Sequence, residues 1–211
     1  MTALYYHPLS NPSLFPLFVA EATGLKYERK MVDLQTQEQK SDDYLQVNPF
    51  GRVPAMVDGD LAIGESSAIG RYLARKTDSE VYSSDIREAA LIDQWMEFVV
   101  HHIRLNTGRI FFNRFVAPMT GQEPDETSLD LGIRLLGESL PHLEVALDGD
   151  GYLHGDRLTL ADIALVSAME SQHLGKIDLS DAPVTAAWLE AKRKEDWYVA
   201  VHSHFGAELG M

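Results

Sequence analysis

Residues 48–73 read NPFGRVPAMVDGDLAIGESSAIGRYL, and no other stretch of the chain limits its possible folds so tightly. Val53-Pro54 stands directly before a strand pattern, Ala55-Met56-Val57. Asp58-Gly59 follows, the preferred pair for a two-residue hairpin because both central positions need positive φ. Leu61-Ala62-Ile63 reads as the returning strand. Glu65-Ser66 then opens a segment with Ala68, Ile69, Tyr72 and Leu73 at helical spacing. A loop, two antiparallel strands and a helix N-terminus are thereby forced together, a geometry suited to a small anionic ligand.

The residues before this stretch read as the rest of an α/β unit. Thr2 to Tyr6 is a strand ended by His7-Pro8, and Ser10-Asn11-Pro12-Ser13 is a turn cluster able to cap the next helix. Phe15, Phe18, Val19 and Ala22 recur at helical spacing, and Gly24 is placed to stop that helix. Lys26 to Val32 reads as a second strand and Asp42 to Val47 as a short helix. Strand, helix, strand, short helix, hairpin and helix make a mixed sheet within residues 1–78, and 77–84 (TDSEVYSS) reads as a linker. After Asp85 the pattern is helical to the end. Ala89, Ile92, Met96, Val99 and Val100 form one stripe, and Leu129, Ile133, Leu136, Leu140, Leu143 and Leu147 another. Thr159 followed by Asp162, flanked by Leu158 and Ile163, is a carboxylate capping box with its hydrophobic staple. Read as a local cap, Asp162 is worth about 1 kcal/mol.

Composition removes whole classes of function. With 18 Lys+Arg against 32 Asp+Glu among 211 residues, the formal charge is −14, which disfavours nucleic-acid binding. There are no cysteines, hence no disulfides, thiolate metal sites or cysteine nucleophile. Ala3-Leu4-Tyr5-Tyr6 reads as a strand rather than part of a signal peptide, and no window approaches the ~18 apolar residues of a membrane span. A soluble, cytoplasmic protein is expected. Of the eight histidines, His101-His102 are adjacent and point about 100° apart on a helix, and HExxH is absent, so no metal site is expected. Neither a phosphate-binding glycine loop nor a GxSxG elbow occurs.

Two features of the 48–73 stretch still point to a ligand. The N–H and hydroxyl of Ser66 at a helix start can grip a carboxylate, while Glu65 accepts from an ammonium, which suits an α-amino acid head; ordinary capping is the other reading. If the Val53–Pro54 bond is cis, the Val53 N–H and C=O turn outward and can pair with a peptide-like ligand as an added strand would; a trans loop is the alternative.

NPFGRVPAMVDGD, ESSAI and RLTLADIAL, in this order and at these separations, resemble the cytosolic glutathione S-transferase family, closest to its theta and phi classes and their bacterial relatives. The resemblance spans essentially the whole chain. It implies a thioredoxin-like glutathione-binding domain over 1–78, then an all-helical bundle over 85–211 that forms the electrophile site. It also implies a homodimer. By this resemblance Ser10 in HPLSNPS is the catalytic serine, donating a hydrogen bond to the glutathione sulfur. Val53, before Pro54, reads the cysteinyl backbone. Glu65 and Ser66 clamp the γ-glutamyl head, while Arg52, Gln39 and Lys40 hold the glycyl end.

The chemistry is coherent, since a free thiol has a pKa of ~8.5 and stabilising its thiolate supplies more nucleophile near neutral pH. Two departures from the family pattern stand out. Gln39 occupies a position where many relatives carry histidine, and Asn11 follows Ser10, an alternative thiol contact found in some bacterial relatives with reductase or peroxidase activity; Ser13 is the other alternative for the thiol contact. His7, Leu9, His101, Arg104, Asn106 and Arg109 are candidate walls for the electrophile, and Phe50 is a candidate key into a partner subunit. The expected function is conjugation of glutathione, as co-substrate and without a metal, to a small electrophile. A glutathione-dependent reductase, peroxidase or isomerase, or a non-catalytic binding module, are the alternatives.

Overall fold

The computed structural model describes residues 1–208. Contacts divide the chain into two compact units, Met1–Ser83 together with the C-terminal segment from Lys194, and Ser84–Arg193. This grouping differs from a simple 1–78 and 85–211 division, because the last helices belong with the first unit.

The first unit is built on a four-stranded sheet ordered β2-β1-β3-β4, with β1 Thr2–Tyr6, β2 Tyr27–Met31, β3 Ala55–Asp58 and β4 Leu61–Gly64. β1 runs parallel to β2 and antiparallel to β3, and β3 is antiparallel to β4. This is the mixed sheet expected from the sequence. The hairpin turn differs in detail. Asp58 ends β3 as a strand residue and Gly59, at φ 65°, is the positive-φ residue. Asp58 is held in the strand because its carboxylate accepts from Thr2 Oγ1 at 3.2 Å, from Tyr72 Oη at 2.6 Å, and from Lys76. Those donors, Lys76 foremost, lower its pKa to about 2.

Helices cover both faces of this sheet. α1 Asn11–Ala22 and α3 Ser66–Lys76 pack together, and Gly70 makes this possible: a Cβ there would lie 2.4 Å from Phe15 Cε1. On the other face α2 Asp42–Val47 sets Tyr44 edge-on to Tyr5, at 5.8 Å between centroids, over buried Val32 and Ala55. Side chains alternate along a strand, so Tyr6 faces the opposite way from Tyr5. Its hydroxyl donates to Glu208, Arg29 Nε donates to that hydroxyl at 3.1 Å, and the phenol pKa is pushed up to about 12, by burial first and Glu208 next.

The second unit is all-helical among the described residues. Its first helix runs without a break through α4 Ile86–Phe98, a π-turn Val99–Arg104, α5 Leu105–Phe111, a second π-turn Phe112–Val116 and α6 Ala117–Met119. α7 Glu126–Leu147 returns alongside, followed by α8 Leu160–Ala168 and α9 Pro183–Lys192. Asn106 Nδ2 and Asn113 Nδ2 donate to carbonyls four residues back, His102 O and Arg109 O, beside the π-turns, whose widened ladders no hydrophobic periodicity announces. In the first unit α10 Asp196–His202 packs on α1, with Phe18 5.4 Å from both Trp197 and Tyr198, and α11 Phe205–Glu208 follows.

Asp162 does more than cap α8. One oxygen accepts from Thr159 N at 2.8 Å and Thr159 Oγ1 at 2.7 Å, and the other from Leu153 N at 2.8 Å. The carboxyl is fully buried, and burial raises its pKa against these donors. Removing it strands two buried N–H groups, so Asp162→Ala is expected to cost about 3 kcal/mol in urea unfolding, with Asp162→Asn intermediate. A loss of about 1 kcal/mol would reduce Asp162 to a local cap. For Asp58 the folded pKa lies below the unfolded one. Its stabilisation is therefore complete above about pH 4 and vanishes as pH falls through about 2. Asp58→Asn should flatten that part of the acid-stability curve.

Candidate functional site

The strand register brings four segments to one end of the sheet. Tyr5 pairs with Ala55, and Ala55 with Gly64, while Tyr6 lies beside Met31. The exits of β1, β2 and β4 and the entry to β3 therefore lie together. These lead to Ser10, to Gln39-Lys40, to Glu65-Ser66, and back to Arg52-Val53-Pro54, so the register brings together the sequence-expected glutathione and thiol residues.

Ser10 is the N-cap of α1, with extended backbone (φ −106°, ψ 96°), yet its side chain makes no capping hydrogen bond. Asn11 is the first helical residue. The loop before it is closed by other groups: Ser10 N donates to His7 O at 3.0 Å, and His7 N to Ser13 Oγ at 3.2 Å. Ser13, 1% exposed, is thereby committed to the loop's own backbone, leaving Ser10 half-exposed at the helix start. Leu9 N donates to His7 Nδ1 at 3.1 Å, and burial, opposed by the charge of Asp33, lowers the His7 pKa. Both observations describe a neutral imidazole carrying its proton on Nε2.

Gln39 and Lys40 lie on a 3₁₀ turn, Glu38–Lys40. Gln39 Oε1 is buried without a hydrogen-bond partner, whereas Lys40 Nζ donates to Gly51 O at 2.8 Å. The lysine thus closes the next loop. Arg52 is exposed, Val53 half-buried, and the Val53–Pro54 peptide bond is cis. Val53 has no backbone hydrogen-bond partner among the described residues outside regular elements.

Glu65 is the N-cap of α3 at φ 65°, ψ 114°, a conformation that L side chains rarely adopt. It makes no side-chain cap bond, and its carboxylate is exposed. Ser66, 3% exposed, is the first residue of the helix. A strained acidic residue with an uncommitted carboxylate, set beside a helix N-terminus, presents an acceptor and several N–H donors within two residues. Such a pair is suited to the ammonium and carboxylate of one amino-acid head. No group of three or more potential metal ligands occurs among the described residues.

The N-terminal domain model of the glutathione S-transferase family matches residues 1–75, and its C-terminal domain model matches 95–194. The chain belongs to the glutathione S-transferase family. Glutathione S-transferase 3 of Zea mays is 37% identical over 195 residues, covering 89% of this chain and 87% of that protein. The crystal structure of glutathione transferase F7 from Populus trichocarpa superposes with a TM-score of 0.85 at 29% identity, covering 96% and 98% of the two chains. Glutathione S-transferase I from mais, in complex with an atrazine glutathione conjugate, gives 0.86 at 31% identity, with 96% of each chain covered. The first unit thus carries the thioredoxin-like domain of a glutathione transferase, and the helical unit its C-terminal domain.

Among the expected electrophile-wall residues, His101, Asn106 and Arg109 share one cleft of about 360 Å³ in the helical unit, where Ser139 and His142 of α7 face them. Arg109 Nη1 donates to Asn106 Oδ1 at 2.6 Å, so each of these two side chains orients the other. His7 and Leu9 stand on the loop before Ser10 in the first unit. Sequence reasoning missed Tyr44 and Asn48, which hold the Val53 loop; a buried asparagine beside a proline was the available signal.

The strain at Glu65 is testable apart from any ligand. Glu65→Gly and Glu65→Ala both delete the carboxylate, but only glycine relieves the positive φ. The glycine variant should be more stable than the alanine variant by about 1 kcal/mol in thermal or urea unfolding. The reverse order would contradict the strain.

Proposed function

We propose that the protein binds glutathione at this end of the sheet and transfers its thiolate to a small electrophile. The supporting observation is Ser10: a serine at a helix N-cap whose hydroxyl does not cap the helix, held by a loop that other groups close. In this reading its O–H donates to the glutathione sulfur. That bond stabilises thiolate over thiol, and the N-terminal end of the α1 dipole acts in the same sense. Asn11 stands next to it as the alternative thiol contact. The rest of the tripeptide is held by Val53, ahead of Pro54, at the cysteinyl backbone, and by Glu65 and Ser66 at the γ-glutamyl head. Arg52 and Gln39 hold the glycyl end. Lys40 supports that end through Gly51.

Mechanistically, these residues bind, orient and tune a pKa. The thiolate attacks the electrophilic carbon and the sulfur–carbon bond forms. In a substitution the bond to the leaving group breaks and that group departs with its electron pair, and in an addition the π bond breaks and the resulting anion takes up a proton from water. Positioning two reactants together removes the entropic cost of their encounter. The mais relative, crystallised with a glutathione conjugate of atrazine, supports the same product class for this chain.

Ser10→Ala should fold normally and bind glutathione, yet lose roughly 100-fold in kcat/KM toward an aryl halide. The apparent thiol pKa in its pH–rate profile should move up toward the free value of ~8.5. Retained turnover in the variant would overturn the assignment of Ser10. Activity confined to an organic peroxide would shift the reading to a reductase or peroxidase. A homodimer is part of this reading, with Phe50, 63% exposed, as its aromatic key. Sedimentation of the parent and Phe50→Ala reads this directly, dimer for the first and a raised monomer fraction for the second.

A further inference from the structure

The peptide group joining Arg52 to Val53 is planar, so fixing its carbonyl oxygen also fixes the direction of the Val53 N–H on the opposite side. Two side chains fix that oxygen. Tyr44 Oη donates to Arg52 O at 2.8 Å, and Asn48 Nδ2 donates to it at 2.6 Å. Asn48 is 1% exposed, and its other amide atom is also used, since Phe50 N donates to Asn48 Oδ1 at 3.1 Å. This set defines the orientation of the amide: a flipped carboxamide would set oxygen against a carbonyl and NH₂ against an N–H. The Asn48 carbonyl in turn accepts from Gly51 N at 2.9 Å, and Lys40 Nζ donates to Gly51 O. Gly51 sits at φ 57°, with Lys40 Nζ 2.9 Å from where a Cβ would stand.

The same carboxamide reaches the other half of the site. A Cβ on Gly64 would lie 3.0 Å from both Asn48 Nδ2 and Oδ1, so the amide lies against the backbone immediately before Glu65. One buried side chain therefore sets the direction of the Val53 peptide and the seat of the Glu65-Ser66 turn. Tyr44 complements it from α2. Its phenol, pushed well up by burial, stays protonated and a donor throughout the working pH range.

We propose that Asn48 and Tyr44 are positioning residues for glutathione recognition, aiming the Val53 N–H at the cysteinyl carbonyl of the tripeptide. The proposal rests on the glutathione reading above. Neither residue touches the ligand. Each acts through the Arg52–Val53 peptide, and because that contact is alike in ground and transition states, its loss raises KM for glutathione without lowering kcat.

The experiment compares the parent with Tyr44→Phe and Asn48→Ala, using calorimetric titration and steady-state kinetics. Tyr44→Phe keeps the ring against Tyr5 and Val32, so it retains the fold if Asn48→Ala does not. It should raise Kd and KM for glutathione about fivefold, leaving kcat and the KM of the electrophile unchanged. The second ligand is γ-glutamylcysteamine, which keeps the γ-glutamyl head and thiol but lacks the cysteinyl carbonyl and the glycine attached to it. Toward it, Tyr44→Phe and the parent should bind alike. An equal penalty toward both ligands would make Tyr44 a general support of the fold and overturn the proposal, as would an unchanged glutathione Kd in Tyr44→Phe when the parent binds normally. A parent that does not bind glutathione at all would instead overturn the reading on which the proposal rests.

Discussion

Strand β3 is hydrogen-bonded on both edges, and the placement of the candidate site residues in the first unit depends on that. Ala55 is wholly buried between Tyr5 and Gly64, and its place in the ladder leaves no choice about where the neighbouring segments emerge. Buried backbone groups must be paired, so the register cannot slip without turning Met56 and its apolar neighbours to the wrong face. Residues 10, 39, 53 and 65 are far apart in sequence. The segments that carry them start from one end of the sheet because the register sets the exits of β1, β2 and β4 beside the entry to β3.

At that end, local rules are broken in a patterned way. Elsewhere in the chain, small polar residues at N-caps do the usual work: Ser41, Asp85 and Asp125 each accept from helix N–H groups, and Thr159 forms the capping box with Asp162. Ser10 is the same type of residue at the same position and does not cap. Glu65, with no side-chain cap bond, is held at positive φ where a glycine would be easier. Strain and uncommitted polar groups persist only where surrounding structure over-determines them. Here the surroundings are the ladder on one side and the Asn48 amide on the other.

The first strand, the short helix Asp42–Val47, the hairpin and the α8 capping box were legible in the sequence because each is specified by contacts within a few residues. The features that escaped have partners far along the chain. Asp58-Gly59 suggested both central turn residues, but Asp58 stays in the strand because Thr2, Tyr72 and Lys76 bind its carboxylate. Asp162 suggested a local cap, but it also holds Leu153. The π-turns gave no signal, since the buried positions Met96, Val99, Ile103, Ile110 and Ala117 keep an ordinary helical spacing across them.

By itself the sequence determined the strands and α-helices of residues 1–78, their order, and the family, because short-range propensities and the three motifs 48–60, 65–69 and 157–165 are written in consecutive residues. It also named the candidates on the segments that the register gathers at that end of the sheet, though not Tyr44 and Asn48, which hold the Val53 loop. Only the tertiary structure decided which polar atoms remained uncommitted there. It committed Ser13 and Lys40 to the backbone and left the Ser10 hydroxyl out of the helix cap. It set the direction of the Val53 N–H through Tyr44 and Asn48. The reason is physical: a residue's type states which hydrogen bonds it can make, and only the folded chain states which have already been taken.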